Sequence, residues 1–211
     1  KAAPASQPLV ATLASPDAYP SPVRRRSASR RAASRPPLLA GPRLSGADHE
    51  PAALAARGAL IGATGPATVL QKDPLPPVPG TTVAKHRMGV QMAAETLTGE
   101  RDLDFLELGD ADAAEMLTLA TLTEPGPFFA RTHRLGGFIG IRDQGRLVAM
   151  AGERMKPEGF TEVSGVCTHP DQRGRGYAGG LMRVVAARVL ARGETPFLHA
   201  YADNRGAIAL Y

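Results

Sequence analysis

From about residue 101 the apolar positions settle into regular periods. Residues 103–108 alternate weakly and predict a strand. Asp110 and Asp112 fall in the first turn of a helix predicted over 110–120, where the helix dipole favours acids. Residues 121–132, with Pro125, Gly126 and Pro127, predict a loop with room for one helical turn. Strands over 138–142 and 146–154 flank Asp143-Gln144-Gly145, a hairpin turn in which Gly supplies a positive φ. A second turn, Lys156-Pro157-Glu158-Gly159, leads into a strand over 160–168. Ala178, Leu181, Met182, Val185 and Val189 repeat at the spacing of one buried face, predicting a helix over 176–192 capped by Gly193. Residues 197–201 predict a further strand, and Asp203-Asn204 open a last helix that reaches Tyr211. The order β-α-β-β-β-α-β-α feeds antiparallel hairpins into one parallel crossover. It predicts an α/β fold with a mixed, mostly antiparallel sheet flanked by helices.

The preceding hundred residues are less regular. Residues 51–61 predict a short Ala-rich helix, 67–70 a short strand and 88–93 an edge strand, while the prolines of 73–80 predict an extended linker. No repeat and no site chemistry stand out there. The expected organisation is a basic, disordered segment over 1–50, a poorly defined region over 51–100 and a folded domain over 101–211.

Charge sharpens that division. The formal net charge of +5 sits wholly in residues 1–50, which hold eight basic residues against three acidic ones; residues 51–211 hold 17 of each. The basic character therefore gives no reason to expect a specific nucleic-acid partner for the folded part. The segment itself reads as a disordered tail, as a stretch not shaped for folding, or as a presequence. No run approaches the roughly 18 consecutive apolar residues of a membrane span, so no membrane partner is expected. The single cysteine, Cys167, excludes a disulfide framework and a Cys-based zinc site, and no metal is expected.

The candidate chemistry lies between the last long strand and its helix. In Thr168-His169-Pro170-Asp171-Gln172-Arg173-Gly174-Arg175-Gly176-Tyr177-Ala178, glycines let backbone N–H groups converge at a helix N-terminus, and two arginines add charge-assisted bonds. That combination suits a pyrophosphate. Gly174-Arg-Gly176-Tyr-Ala-Gly179 also fits the G-x-G-x-x-G pattern of dinucleotide sites, with Asp203 as its acid, although the strand before it is fed by a hairpin. A P-loop is excluded, because no Gly-Lys-Ser/Thr comes after the glycines.

The stretch from Glu162 through Ala178 resembles the acetyl-CoA-binding core of the GNAT superfamily of N-acetyltransferases. Arg173-x-x-Gly176-x-Ala178 matches the R/Q-x-x-G-x-G/A signature, and Asn204-Arg-Gly-Ala207-Ile208-Ala-Leu210-Tyr211 resembles the family's N-x-x-A-x-x-L-Y segment. Residues 148–154 with 166–170 are similar to the branch of glycine N-acyltransferase-like proteins. The resemblance covers about 101–211. It implies a GNAT-type sheet, acetyl-CoA as co-substrate, and acetyl transfer to a primary amine by direct attack in a ternary complex, in the cytoplasm. A non-catalytic acyl-CoA-binding relic and an NAD-type domain stand as alternatives.

The resemblance also implies roles. Val166, Cys167 and Thr168 would offer main-chain groups to pantetheine where the strand splays from its neighbour; ordinary sheet pairing is the other reading. Arg173, Gly174, Arg175, Gly176, Tyr177 and Ala178 would hold the pyrophosphate. Asn204 would cap its helix, touch pantetheine, or both. Glu162 stands where the family places a general base, and Tyr211 where it places the phenol that protonates the thiolate; a surface glutamate and a packed tyrosine are the plainer readings. Cys167 is not expected to carry an acyl group, and His169 reads as a turn residue. Glu124, Phe128, Phe129, Arg131 and Glu153 are candidates for lining the acceptor site, whose occupant, a small-molecule or peptide amine, is not specified.

The sequence carries three further expectations. The basic segment should be dispensable for acetyl-CoA binding. Residue 1 is Lys and Tyr211 falls inside a predicted helix, so the sequence should be a fragment that is C-terminally truncated, lacking the family's last strands. The edge of strand 197–201 should then lie bare, inviting aggregation, homodimer formation by edge pairing, or weak activity. Last, a turn centred between Pro157 and Glu158 would set Glu153 directly opposite Glu162, with Arg154 on the other face. The two carboxylates would repel, and one would hold its proton.

Overall fold

The computed structural model of the chain describes residues 9–14, 43–44, 49–71, 74–98 and 103–211, with backbone alone at 9–14 and 43–44. Two compact units divide them, one over 7–89 and one over 90–211.

In the first unit, strands Leu9–Ala14 (β1) and Arg43–Leu44 (β2) precede helix Pro51–Thr64 (α1) and strand Ala67–Gln71 (β3). Strand Thr82–Ala93 (β4) comes next, and the division between units falls within it. β1 pairs antiparallel with β3 and β4, and β2 runs parallel to β3. β1 and β2 fall within residues 1–50, and the basic run 24–35 lies outside the described residues. Deleting 1–50 would remove the strand between β3 and β4, so dispensability can be asked only of the segment between β1 and β2. Pro74–Pro79 is not a free linker either. Val78 joins Leu54, Ile61, Ala67 and Val69 in the core, and a Cβ on Gly58 of α1 would come within 2.0 Å of the Pro79 carbonyl oxygen.

The second unit holds the glycine turn. Its strands are Leu106–Leu108 (β5), Phe138–Asp143 (β6), Arg146–Glu153 (β7), Phe160–Thr168 (β8) and Thr195–Tyr201 (β9). Its helices are Ala113–Thr123 (α2), Tyr177–Ala191 (α3) and Arg205–Leu210 (α4). The sheet order is β9-β8-β7-β6-β5, antiparallel except for the β8·β9 pair. This is the predicted fold class. Strand 103–108 shortens to β5, and the predicted helix 110–120 becomes a 3-10 turn, Asp110–Asp112, followed by α2. Gln144 and Gly145 both have positive φ, +50° and +79°, the two-residue hairpin turn whose twist matches its strands.

Helices cover both faces of this sheet. Leu181, Val185 and Val189 of α3 pack on Ile139, Val148, Ala151 and Val163, whereas Met116, Leu119 and Ala120 of α2 pack on Phe138, Leu147, Met150 and Cys167. Each fully buried Leu or Val contributes about 1.5–3 kcal/mol. The bare edge expected at β9 is corrected at its start. Residues 90–93 neighbour β9, and the Ala94 N–H donates to the Pro196 carbonyl at 3.1 Å.

Two irregularities give β8 its course. β7 and β8 pair Met150 with Cys167 but Gly152 with Ser164, so β8 carries an extra residue at Gly165 (φ +63°). β8 and β9 pair Phe160 with Thr195, Thr161 with Pro196 and Glu162 with Phe197; beyond that point the two strands no longer pair with each other. The bulge bends β8 away from β9.

Phe138 fills the hollow at Gly152, where an added Cβ would lie 2.3 Å from its ring. Gly152→Ala is expected to lose about 1–3 kcal/mol by overpacking, read as a lower urea midpoint. Gly137→Ala, with open space around it, should unfold at nearly the wild-type midpoint.

Candidate active site

The glycine turn hangs from the end of β8. His169 shapes it: its ring Nδ1 accepts from the Asp171 N–H at 3.3 Å and Pro170–Gln172 forms a 3-10 turn. The buried Gln172 donates from Nε2 to Asp143 Oδ2 at 2.7 Å, tying the turn to the β6–β7 hairpin. Gly174 and Gly176 then adopt φ of +78° and +76°, a left-handed conformation that a Cβ would strain. Gly176 caps α3 without a side chain, so the first-turn N–H groups need a partner from outside the helix. Arg173 and Arg175 are exposed beside them. An anion fits here by charge and by donor geometry.

Above the turn lie the residues expected to meet pantetheine. Val166 packs partly against the α3 side of the core. Thr168 carries a buried hydroxyl oxygen with no hydrogen-bond partner among the described residues, and a polar ligand chain along β8 would give it one. Burial pushes the Cys167 thiol up to about 12, against weaker opposing effects from Thr123 and the Met150 backbone. A thiol held so firmly protonated is no nucleophile.

At the vertex where β8 and β9 part stands Glu162, with 1% of its side chain exposed. Here the expected register is corrected. The Phe160 N–H donates to the Pro157 carbonyl, so the turn spans 157–160 with Gly159 at φ +74°. Glu153 consequently lies opposite Val163, and the Arg154 and Glu162 backbones pair (Arg154 N–H to Glu162 O, 3.1 Å). One residue of slip exchanges the faces. Arg154 turns toward Glu162 and grips it with two bonds, Nε to Oε2 at 2.8 Å and Nη2 to Oε1 at 2.9 Å, while its Nη1 donates to the Pro127 carbonyl at 2.9 Å. Glu153 goes to the other face, where Arg192 (2.9 Å) and Lys156 (2.8 Å) hold its carboxylate. It leaves the acceptor candidates, and no carboxylate pair forms. The resulting pairing with a guanidinium favours the charged Glu162, opposite to the expected repulsion.

The other predicted residues are distributed around this vertex. His199 Nδ1 lies 2.9 Å from Glu162 Oε1, a contact that the sequence pattern did not signal. Asn204 caps α4, its side-chain oxygen accepting from the Ala207 N–H at 3.1 Å. Tyr211 is half-buried against the core, and its phenol is pushed up by burial and then by Cys167. Phe128 stacks edge-on against Phe138 at 5.7 Å, Phe129 is half-buried, and Glu124 and Arg131 lie around the loop after α2. Asp110, held down at about 2 by hydrogen bonds from Arg134 and His133, anchors the far end of that loop. Among the described residues, no group of three or more His, Cys, Asp or Glu could hold a metal ion, and no helix is long and apolar enough to cross a membrane.

A parallel pair that opens at a buried glutamate, with a two-glycine turn between β8 and the helix that follows it, belongs to a sheet of the GNAT fold type. Comparison with known proteins agrees. Residues 138–211 match the FR47-like protein family. A protein from Novosphingobium aromaticivorans DSM 12444, described as a GNAT-family acetyltransferase, is 48% identical with a TM-score of 0.62, over 66% of this chain and 63% of its own. A GNAT-family acetyltransferase from Colwellia psychrerythraea is 15% identical with a TM-score of 0.50, over 58% of this chain and 49% of its own, a likeness of fold. No curated protein matches. The chain thus spans less than two thirds of either solved protein; it is similar to the first in sequence and fold and to the second in fold alone.

The shielded thiol gives a direct check. At pH 8 a thiol with a value of about 12 is ionised to only about one part in 10⁴, so Cys167 should stay silent to a thiol-specific disulfide reagent in the folded protein. It should react at once in denaturant; rapid native labelling would show an open β8.

Proposed function

We propose that this protein is an acetyl-CoA-dependent N-acetyltransferase, moving an acetyl group to a primary amine by direct attack in a ternary complex. The observation that carries this is the parting of β8 from β9 at Glu162 and Phe197, on the strand that leads into the glycine turn. Acetyl-CoA supplies the thioester whose carbonyl carbon the amine nitrogen attacks, the C–N bond forming as the C–S bond breaks. The chain's residues provide the rest. Arg173 and the N–H groups of 174–178 bind the pyrophosphate, and Val166, Cys167 and Thr168 pair through the main chain with pantetheine. The Thr168 hydroxyl gains a partner there, and Asn204 adds a contact beyond its cap. Tyr211, kept protonated by burial, donates its proton to the departing sulfur. Glu162 acts at the amine end.

Residues 148–154 favour a branch similar to the glycine N-acyltransferases, and the acceptor is a small-molecule or peptide amine that reaches the vertex beside Phe128, Phe129 and Arg131. A single buried thiol suits a reducing cytoplasm.

Calorimetry should show acetyl-CoA binding and no comparable NADH binding; NADH alone would overturn the reading. Arg173→Ala should weaken acetyl-CoA by roughly ten- to hundredfold, the loss of a charged hydrogen bond. Thiol release from acetyl-CoA against a panel of primary amines tests the transfer itself, and tight binding without release to any amine would leave a relic rather than an enzyme.

A further inference from the structure

We infer that His199, through its Nε2 atom, takes the proton from the attacking amine, and that Glu162 is its positioning residue. The inference rests on the acetyltransferase function proposed for this site and changes which atom does the proton transfer. A base needs an unshared lone pair that the substrate can reach. Three of the four lone-pair sites of Glu162 are taken: Oε2 accepts from Arg154 Nε, and Oε1 meets both Arg154 Nη2 and His199 Nδ1. With 1% of its side chain exposed, it offers an incoming amine no approach.

The imidazole is placed differently. A carboxylate gripped by a guanidinium acts as an acceptor toward Nδ1, so that nitrogen carries the ring's hydrogen, a tautomer assigned from the hydrogen-bond network. The lone pair is then on Nε2, which makes no hydrogen bond to any described residue. The side chain keeps 13% exposure. His199 stands on β9 two residues past Phe197, the last residue paired with β8, and so on the same face within the opening. Phe197 holds the ring edge-to-face at 5.6 Å and 88°. Glu162 faces the ring directly, and Arg154 stands behind it. Arg154, Glu162 and His199 thus form a chain in which the charge of one group fixes the next, ending at an accessible base.

The balance closes without a further reactant. As the amine nitrogen bonds to the acyl carbon, its N–H proton passes to Nε2, and the resulting imidazolium is stabilised by the Glu162 carboxylate. The C–S electron pair leaves with sulfur, which takes the Tyr211 phenolic proton. Solvent returns one proton from His199 to Tyr211, and the site is restored.

Bromoacetyl-CoA tests this without knowledge of the acceptor, because Nε2 can displace bromide from its methylene carbon and form a stable C–N bond. The full chain is incubated with the reagent and its peptides are mapped by mass spectrometry. One adduct on His199 is expected, and excess acetyl-CoA should block it. His199→Gln should bind acetyl-CoA within about threefold of wild type, lose the adduct, and transfer to the best amine of the panel about 10²–10⁴-fold more slowly with KM for acetyl-CoA retained. Glu162→Gln should label His199 at least tenfold more slowly. An adduct on Glu162 or Cys167, or His199→Gln turning over at the wild-type rate, would overturn the inference while leaving acetyl-CoA binding intact. If acetyl-CoA does not bind at all, the proposed function fails first and this inference falls with it.

Discussion

Glu162 survives in the interior because Arg154 meets both its oxygens. A buried carboxylate without a partner costs several kcal/mol, and a guanidinium presenting two parallel N–H groups is the side chain best shaped to offset that cost. The pair exists only in one register of β7 against β8. In the neighbouring register Glu162 would face Glu153, and Arg154 would point at the underside of α3. The turn at 157–160 and the bulge at Gly165 are therefore conditions for the site as much as features of the sheet. The second of them also opens β8 from β9. One strand irregularity provides the cleft, and the other provides the charge arrangement at its vertex.

The two faces of the sheet divide the labour. On the α2 side, Arg154 and Glu162 sit beside the Pro127 carbonyl, next to the loop that runs from α2 to β6. On the α3 side the apolar contacts are continuous, from Ile139 through Val163 to Val189. Phe138 shows how tightly these roles are packed. Its ring fills the hollows at Gly152 and Gly165 and carries Phe128 on its edge. The bulge that opens the cleft is thus pressed against the same ring that seats the loop after α2, so the shape of the opening and the position of that loop are set together.

Alternation and turn chemistry made most of this fold legible in the sequence. β8 has the bounds its pattern predicts, and Gln144-Gly145 forms the turn its residues favour. α2 starts later than predicted because Asp110 and Asp112 belong to a preceding 3-10 turn, which acids favour as readily as they favour a helix start. The register of β7 on β8 was not legible. Gly159 suits the last position of a type I turn over 156–159 and the third position of a type II turn over 157–160, and its φ of +74° decides for the second. Glu162 was recognisable from its distance to the glycine turn. Its partners were not, because Arg154 depends on that one-residue choice and His199 on a parallel register that no hairpin fixes.

The same choice explains why a second glutamate lies buried on the far face. Glu153, 5% exposed, joins β7 to Arg192 just past the C-terminal end of α3 and to Lys156 at the start of the β7–β8 connection. At the other end of α3, Gln172 is fastened to Asp143 on the β6–β7 hairpin. A helix held by polar contacts near both ends, over a continuous apolar face, cannot slide along the sheet by a turn without breaking them. Its N-terminus therefore stays where the turn with left-handed Gly174 and Gly176 delivers it from β8. Had Glu153 remained beside Glu162, both the vertex and this anchor would have been lost, since the carboxylate that repels on one face is the one that fixes α3 on the other.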